Sequence, residues 1–322
     1  MNIKKITALL CAVVMVLSLA ACGSDSGDKA SGSKHYTIGI CQLVQHEALD
    51  AATKGFRDAI TDALGAENVT FDEQNAAGDS ATCATICNGF VSSGVDLILA
   101  NATGALQAAA AATKDIPILG TAVTEYGVAL GIGNFSGTVG GNISGTSDLA
   151  PLDQQAAMIT ELFPDAKNVG IIYCSGEPNS VYQVEVVKAA LEKAGCTVNT
   201  YTFSDTNDVV SVTGTASDAN DVLYIPTDNT AASCAEAIKS AAKKPIIAGE
   251  EGICKGCGVA TLSIDYYELG RTTGEMAVKI LKGEADISTM AIEYYPNPVK
   301  KYNPEMASLY NLTIPSDYAA IG

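Results

Sequence analysis

Two histidines, His35 and His46, are the only imidazoles in this 322-residue chain, and neither lies in a pattern that would activate a nucleophile or grip a metal. Acid–base and nucleophilic catalysis need a group whose pKa can be tuned toward neutrality, histidine above all. Gly-x-Ser-x-Gly and His-Glu-x-x-His are both absent, so no hydrolase signature is present. What the chain offers instead is hydrogen bonding. Polar side chains and a few carboxylates stand directly after short apolar runs: Gln42, Gln45 and His46, then Asn75, then Asn101 and Thr103, then Thr121, Thr124 and Glu125. A second series follows: Ser175, Glu177, Asn179 and Ser180, then Ser204 and Asp205, then Thr227, Asp228 and Asn229, then Glu250 and Glu251, then Asp265 and Tyr266.

Such a set suits a small zwitterion or polyol held in a cleft. A ligand carboxylate calls for N–H groups and hydroxyls at helix N-termini. Thr103 in "NATGAL" and Asn179 and Ser180 in "EPNSVYQ" supply them. An ammonium calls for a carboxylate, from Glu177, Asp228, Glu250 or Asp265. Thr103, Ser180 and Asp228 are equally good N-cap types, and His46 suits a cap or a surface position as well as a cleft. Both readings stay open for each residue.

The elements that must position these groups alternate in type. "YTIGICQL", "NVTFDEQNA", "VDLILAN" and "IPILGTA" read as strands, separated by helices at Glu47 to Leu64, through Ile86 and Phe90, and at Thr103 to Thr113. The Gly, Ser and Thr rich passage "GIGNFSGTVGGNISGTSDLAP" breaks the alternation. It lacks the strand–GxGxxG–helix context of a nucleotide loop, so it reads as a hinge. Beyond it "NVGIIYC", "TVNTYTF", "DVLYIP", "PIIAG" and "GVATLSI" read as strands, with helices near Val181 to Ala194, Asp208 to Ala216 and Ala231 to Ala242. A helix from Tyr267 to Lys282, the strand "MAIEYYP" and a short helix near Pro304 to Leu309 complete the chain. The fold class is α/β, two doubly wound parallel-sheet lobes joined by a hinge. The expected N-terminal lobe spans residues 36–145 plus about 267–288, and the C-terminal lobe 146–266 plus about 289–322. In such sheets ligands bind outside the carboxyl ends of the strands, where the polar residues above fall.

The amino terminus has a different purpose. Lys4 and Lys5 precede an apolar run from Ile6 to Val16, too short to span a bilayer core and typical of a signal peptide, here residues 1–21. Leu19-Ala20-Ala21-Cys22 resembles the bacterial lipobox, which makes Cys22 a lipidation site and residues 22–35 a flexible leash. The expected location is therefore the outer face of the cell membrane, reached by export and held by lipid. The formal net charge of −17 argues against nucleic acid, whose binding rests on phosphate neutralisation. Eight cysteines remain beyond Cys22. An exported chain invites disulfides, yet several sit inside apolar patterns where free cysteine acts as a small hydrophobe. "CKGC" at Cys254 and Cys257 has half a zinc spacing, which alone assigns no metal.

"IGICQLVQHEALDAATKGFRDAI", "FDEQNAAGD", "NISGTSD", "IIYCSGEPNS", "YIPTDN" and "DYYELGRTTGEMA" together resemble the substrate-binding lipoproteins of ABC transporters, in the TrpX-like group of type I periplasmic binding proteins. The resemblance implies a bilobed monomeric receptor without catalytic residues or cofactor, which closes on a small solute, an aromatic amino acid foremost, and presents it to permease subunits. It carries over Gln42, His46, Asn75, Thr103, Glu177, Asn179, Ser180, Asp228 and Asn229 as cleft positions. A membrane-tethered sensor of the same fold is the alternative. Where relatives read Ala-Thr-Pro this chain has Ala102-Thr103-Gly104, and where they have a Thr-Asp-Pro-like turn it has Thr124-Glu125-Tyr126. Substrate identity is thereby left open. Burying about 200 Å² of an aromatic ligand would gain roughly 5 kcal/mol before binding costs. Tyr126, Tyr173, Tyr182, Tyr224 and Tyr266 are the candidates for its wall.

Overall fold

The computed structural model describes residues 34–322. The expected signal segment 1–21, the lipidation site Cys22 and nearly all of the 22–35 leash lie outside the described residues.

Burial on both faces explains the near-continuous apolar runs. In β1 (Tyr36–Gln42) Ile38 and Ile40 join Phe56 and Ile60 of α1 (Glu47–Leu64) on one face. Cys41, on the other, joins Phe90 of α2 (Ser80–Ser93). Beside β1 run β2 (Val69–Asn75), β3 (Leu97–Asn101), β4 (Ile118–Val123) and β5 (Ile143–Ser147), with α3 (Thr103–Ala112) and α4 (Tyr126–Leu130) between them in sequence. The first sheet has the order (Glu293–Tyr294)-β5-β4-β3-β1-β2, and every pairing is parallel.

The second lobe repeats the scheme with α5 (Leu152–Leu162), β6 (Asn168–Cys174), α6 (Pro178–Lys193), β7 (Thr197–Phe203), α7 (Val209–Ala219) and β8 (Val222–Ile225). Then come α8 (Asn229–Ser233), α9 (Ala235–Ala241), β9 (Ile246–Ala248), α10 (Glu251–Gly256) and β10 (Ala260–Ser263). Helix α11 (Tyr266–Leu281) returns to the first lobe, where it packs on α1, and leads to the strand Glu293–Tyr294, here β11. The chain then re-enters the second sheet as β12 (Val299–Tyr302), α12 (Pro304–Leu309) and β13 (Ala319–Ala320). That sheet has the order β13-β12-β10-β9-β8-β6-β7, with β12 antiparallel to β10.

Three segments thus cross between the lobes: 148–151, 264–265 and 295–298. The last crossing comes after Tyr294, later than residue 289, and the first comes after Ser147 rather than 145. The passage expected to be all hinge also contains β5. Its ISGTS sequence lacks apolar residues after Ile143, because the strand packs by hydroxyls and close approach. Thr146 bonds Thr273 at 2.8 Å, and a Cβ on Gly145 would fall 2.1 Å from the Gly120 carbonyl. The helix expected over Ala231 to Ala242 is two short helices broken at Cys234.

Candidate functional site

The carboxyl ends of both sheets face one crevice. A cavity of about 440 Å³ opens there between Leu43, Val44, Gly78, Gly104 and Gln107 of the first lobe and Cys174, Glu177, Asn179, Ser204, Asp205 and Thr230 of the second. No lysine or arginine lines it. In the first lobe the strand exits are strained: Ala77, Ala102 and Ala122 adopt φ of 53°, 86° and 51°. Left-handed backbone costs a non-glycine residue about 1–2 kcal/mol and tends to collect at functional sites. Ala102 immediately precedes α3, so the free N–H groups of the first turn, beginning with buried Thr103, point out of the strand ends.

Glu177 anchors the second-lobe wall. One oxygen accepts from the Thr230 N–H at 2.7 Å and its hydroxyl at 2.6 Å. The other accepts from the Asn229 N–H at 3.0 Å, the Asn229 amide at 2.9 Å and the Asn179 amide at 3.1 Å. Asp228 is equally committed, to the N–H groups of Cys174 and Ala231 at 2.7 and 2.8 Å and the Ser180 hydroxyl at 2.8 Å. These two carboxylates staple the β6–α6 and β8–α8 loops together, so their oxygens are spent within the protein. Asn229 carries the network across the crevice, its side-chain oxygen lying 3.2 Å from Nε2 of His46, the residue before α1.

Several other expected residues also serve the scaffold. Glu125, Glu250 and Asp265 cap α4, α10 and α11, taking the N–H groups of Val128, of Gly252 and Ile253, and of Glu268. Asp265 is exposed. Asn75 is exposed too, its side chain closing a turn on the Ala77 N–H at 2.8 Å. Gln42 is bonded to Val44, Asp50 and Thr53 and ties β1 to α1. Of the tyrosines, Tyr126 bonds the Thr146 carbonyl and Tyr224 bonds Gln155, both inside the lobes. The eight described cysteines are free, and Cys254 and Cys257 are buried. Among the described residues no cluster could hold a metal ion, and no helix is long and apolar enough to cross a membrane.

One residue escaped the sequence reading. Asp148 follows β5 at the first crossing, buried, with Oδ2 accepting from the Tyr266 hydroxyl at 3.0 Å. The strand-end rule would have found it had "ISGTS" been legible as a strand.

Burial pushes Asp148 up to about 6 and Glu250 up to about 7, and burial with the neighbouring Glu177 raises Asp228. Each folded pKa exceeds its unfolded value, so the folded protein holds these protons more tightly and stability rises as pH falls. His46 opposes them, because burial lowers its pKa and its share is lost as pH drops below about 6.5. Between pH 8 and 6.5 the ligand-free protein should gain about 1–2 kcal/mol. Thermal melts across that range check this, and a Tm that falls with acidification contradicts it.

Glu47 and Lys255 form an ion pair of 2.6 Å between the lobes, with both side chains about half exposed. Exposed pairs contribute about 0.2–1 kcal/mol, so Lys255→Ala should weaken ligand affinity by up to about fivefold in low salt. Titrations with and without added salt measure it, and a loss independent of salt would exclude the ion pair as its cause.

A family model described as ABC transporter substrate binding protein matches residues 37–300. A tyrosine-binding protein from Clostridioides difficile is 39% identical over 295 residues, covering 88% of this chain and 85% of that one. A solved protein from Streptococcus pneumonia in complex with L-Trp superposes with a TM-score of 0.84 at 34% identity, covering 88% and 97% of the two chains. A ligand-free, open substrate-binding protein with adhesive properties from Clostridium difficile is 37% identical over 89% of this chain and 99% of its own, yet its TM-score is 0.68.

Proposed function

This chain belongs to the ABC transporter substrate-binding protein family, and we propose that it captures a free aromatic amino acid between its lobes and hands it to the permease of an importer. The observation that carries this reading is the crevice itself. It is the size of a small-ligand site, it lacks basic side chains, and it is flanked by the N-terminus of α3. A ligand carboxylate would therefore be met by helix N–H groups, where the macrodipole favours negative charge. The relatives that bind tyrosine and L-Trp support an aromatic side chain over a sugar. Of the tyrosines named for its wall, Tyr126 and Tyr224 are used inside the lobes, half-buried Tyr173 and Tyr182 pack against the second-lobe core, and Tyr266 bonds Asp148 at the hinge.

Closure follows from differential contacts: a ligand touching both walls stabilises the closed state and not the open one. The His46–Asn229 bond and the Glu47–Lys255 pair form only when the lobes meet. Export and attachment through lipid on Cys22 would hold the receptor at the outer face of the membrane, beside its permease. A thermal-shift screen of the purified protein against amino acids, sugars and nucleosides tests the ligand class. Tyrosine, tryptophan or phenylalanine should raise Tm by several degrees, and a response confined to sugars or nucleosides would overturn the reading.

A further inference from the structure

The lobes meet where the residue before α1 faces α8. His46 of the first lobe lies with Nε2 3.2 Å from the side-chain oxygen of Asn229 in the second. The Asn229 amide nitrogen donates to Glu177 at 2.9 Å, which turns the amide oxygen toward the imidazole. Nε2 must therefore carry the ring hydrogen, and Nδ1 is left with only its lone pair. That atom is buried and has no partner within the protein. The charged and titratable groups around the ring are Glu47 and Asp50 of α1, Glu177 of the β6–α6 loop, Asp228 beside Asn229, and Lys255 of α10, which pairs with Glu47. The oxygens of Glu177 and Asp228 are filled by other donors, and Asp50 accepts from Gln42 at 2.6 Å. A proton on Nδ1 would thus be a buried donor without an acceptor, which is costly. Burial accordingly lowers the His46 pKa, against the pull of Asn229, Glu177 and Asp50.

Opening the lobes breaks the bond to Asn229 and lets water reach both ring nitrogens, so the open form takes up a proton near the ordinary histidine pKa of about 6.5. We propose that neutral His46 latches the lobes and that protonation of its Nδ1 favours the open form, so that acidification releases the bound solute. The sign follows from linkage: an imidazole held neutral on closure favours the closed form fully above the open-form pKa, and that contribution is lost as pH falls below about 6.5. This rests on the closure around a solute described above and adds its control by pH. Asp148 and Glu250 also titrate near this range, so the effect is read as a difference between the wild type and a variant of His46 alone.

Isothermal titration with tyrosine at about pH 7.5 and about pH 5.5, in wild type and in His46→Gln, isolates the histidine. Glutamine keeps an N–H donor for Asn229 and does not titrate. On acidification the wild type should lose about five- to tenfold more affinity than the variant. Equal losses, or a larger loss in the variant, overturn the latch and leave the aromatic amino-acid reading standing. A wild type that binds none of tyrosine, tryptophan and phenylalanine at the higher pH overturns both. Should the variant not fold, proton NMR of the wild type decides, because His35 and His46 are the only imidazoles in the chain. Saturation with tyrosine should move the His46 titration to lower pH. His35, exposed before the start of β1 and bonded to Glu67 and Thr70, should titrate as before. A His46 titration that the ligand leaves in place or raises overturns the proposal.

Discussion

Replacing Glu177 by glutamine, a change of one heavy atom in kind and almost none in shape, should destabilise the protein by about 2 kcal/mol. Both carboxylate oxygens receive only donors: the Thr230 N–H and hydroxyl on one, and the Asn229 N–H with two side-chain amides on the other. A glutamine amide must turn its own N–H groups toward one of these sets, whichever way it is flipped. Glu177→Ala removes the acceptor altogether and should cost about 3 kcal/mol, with a fall in Tm of several degrees for a unit of this size. The same loss loosens Asn229 and with it the contact to His46, so ligand affinity should fall along with stability. Chemical denaturation of the two variants measures the order. If Glu177→Gln matches wild type, the carboxylate is not the staple of the second-lobe wall.

Gly270→Val should cost at least about 3 kcal/mol, at the upper end of overpacking. Helices α1 and α11 meet backbone to backbone: a Cβ on Gly270 would stand 2.0 Å from the Ala52 carbonyl oxygen, and one on Gly55 2.0 Å from that of Tyr267. Neither obstacle is a side chain that could rotate away, so the helices must separate. Gly274, one turn on, meets the Phe56 carbonyl at 2.7 Å and closes the same seam. Because α11 begins at Tyr266, which holds Asp148, separation would also disturb the hinge. Calorimetry of Gly270→Val and Gly89→Ala provides the comparison, since Gly89 has open space around its missing Cβ. Equal stability of the two would contradict the close approach.

The lobes were legible because apolar periodicity is local. Strands such as "VDLILAN" and "NVGIIYC" declare themselves without reference to what covers them. Strand β5 did not, because its packing partners are the hydroxyls of Thr121 and Thr273 and the bare backbone of Gly120, all distant in sequence. Missing that strand concealed Asp148. Its neighbours in the chain, Ser147 and Leu149, gave no signal, and the Tyr266 hydroxyl that marks it lies far along the chain.

The sequence by itself determined the α/β class, the two-lobed plan and the ring of polar residues at the strand ends, since each follows from residue order over a few turns. Only the tertiary structure decided which of those polar groups are already satisfied. Glu177, Asp228 and Glu250 look like free ligand carboxylates in sequence and are occupied in space, whereas Asp148 looks like part of a loop and retains an open oxygen. The physical reason is that capping and ligand binding draw on the same side chains, and a hydrogen-bond acceptor reveals its vacancy only when every donor within reach has been placed.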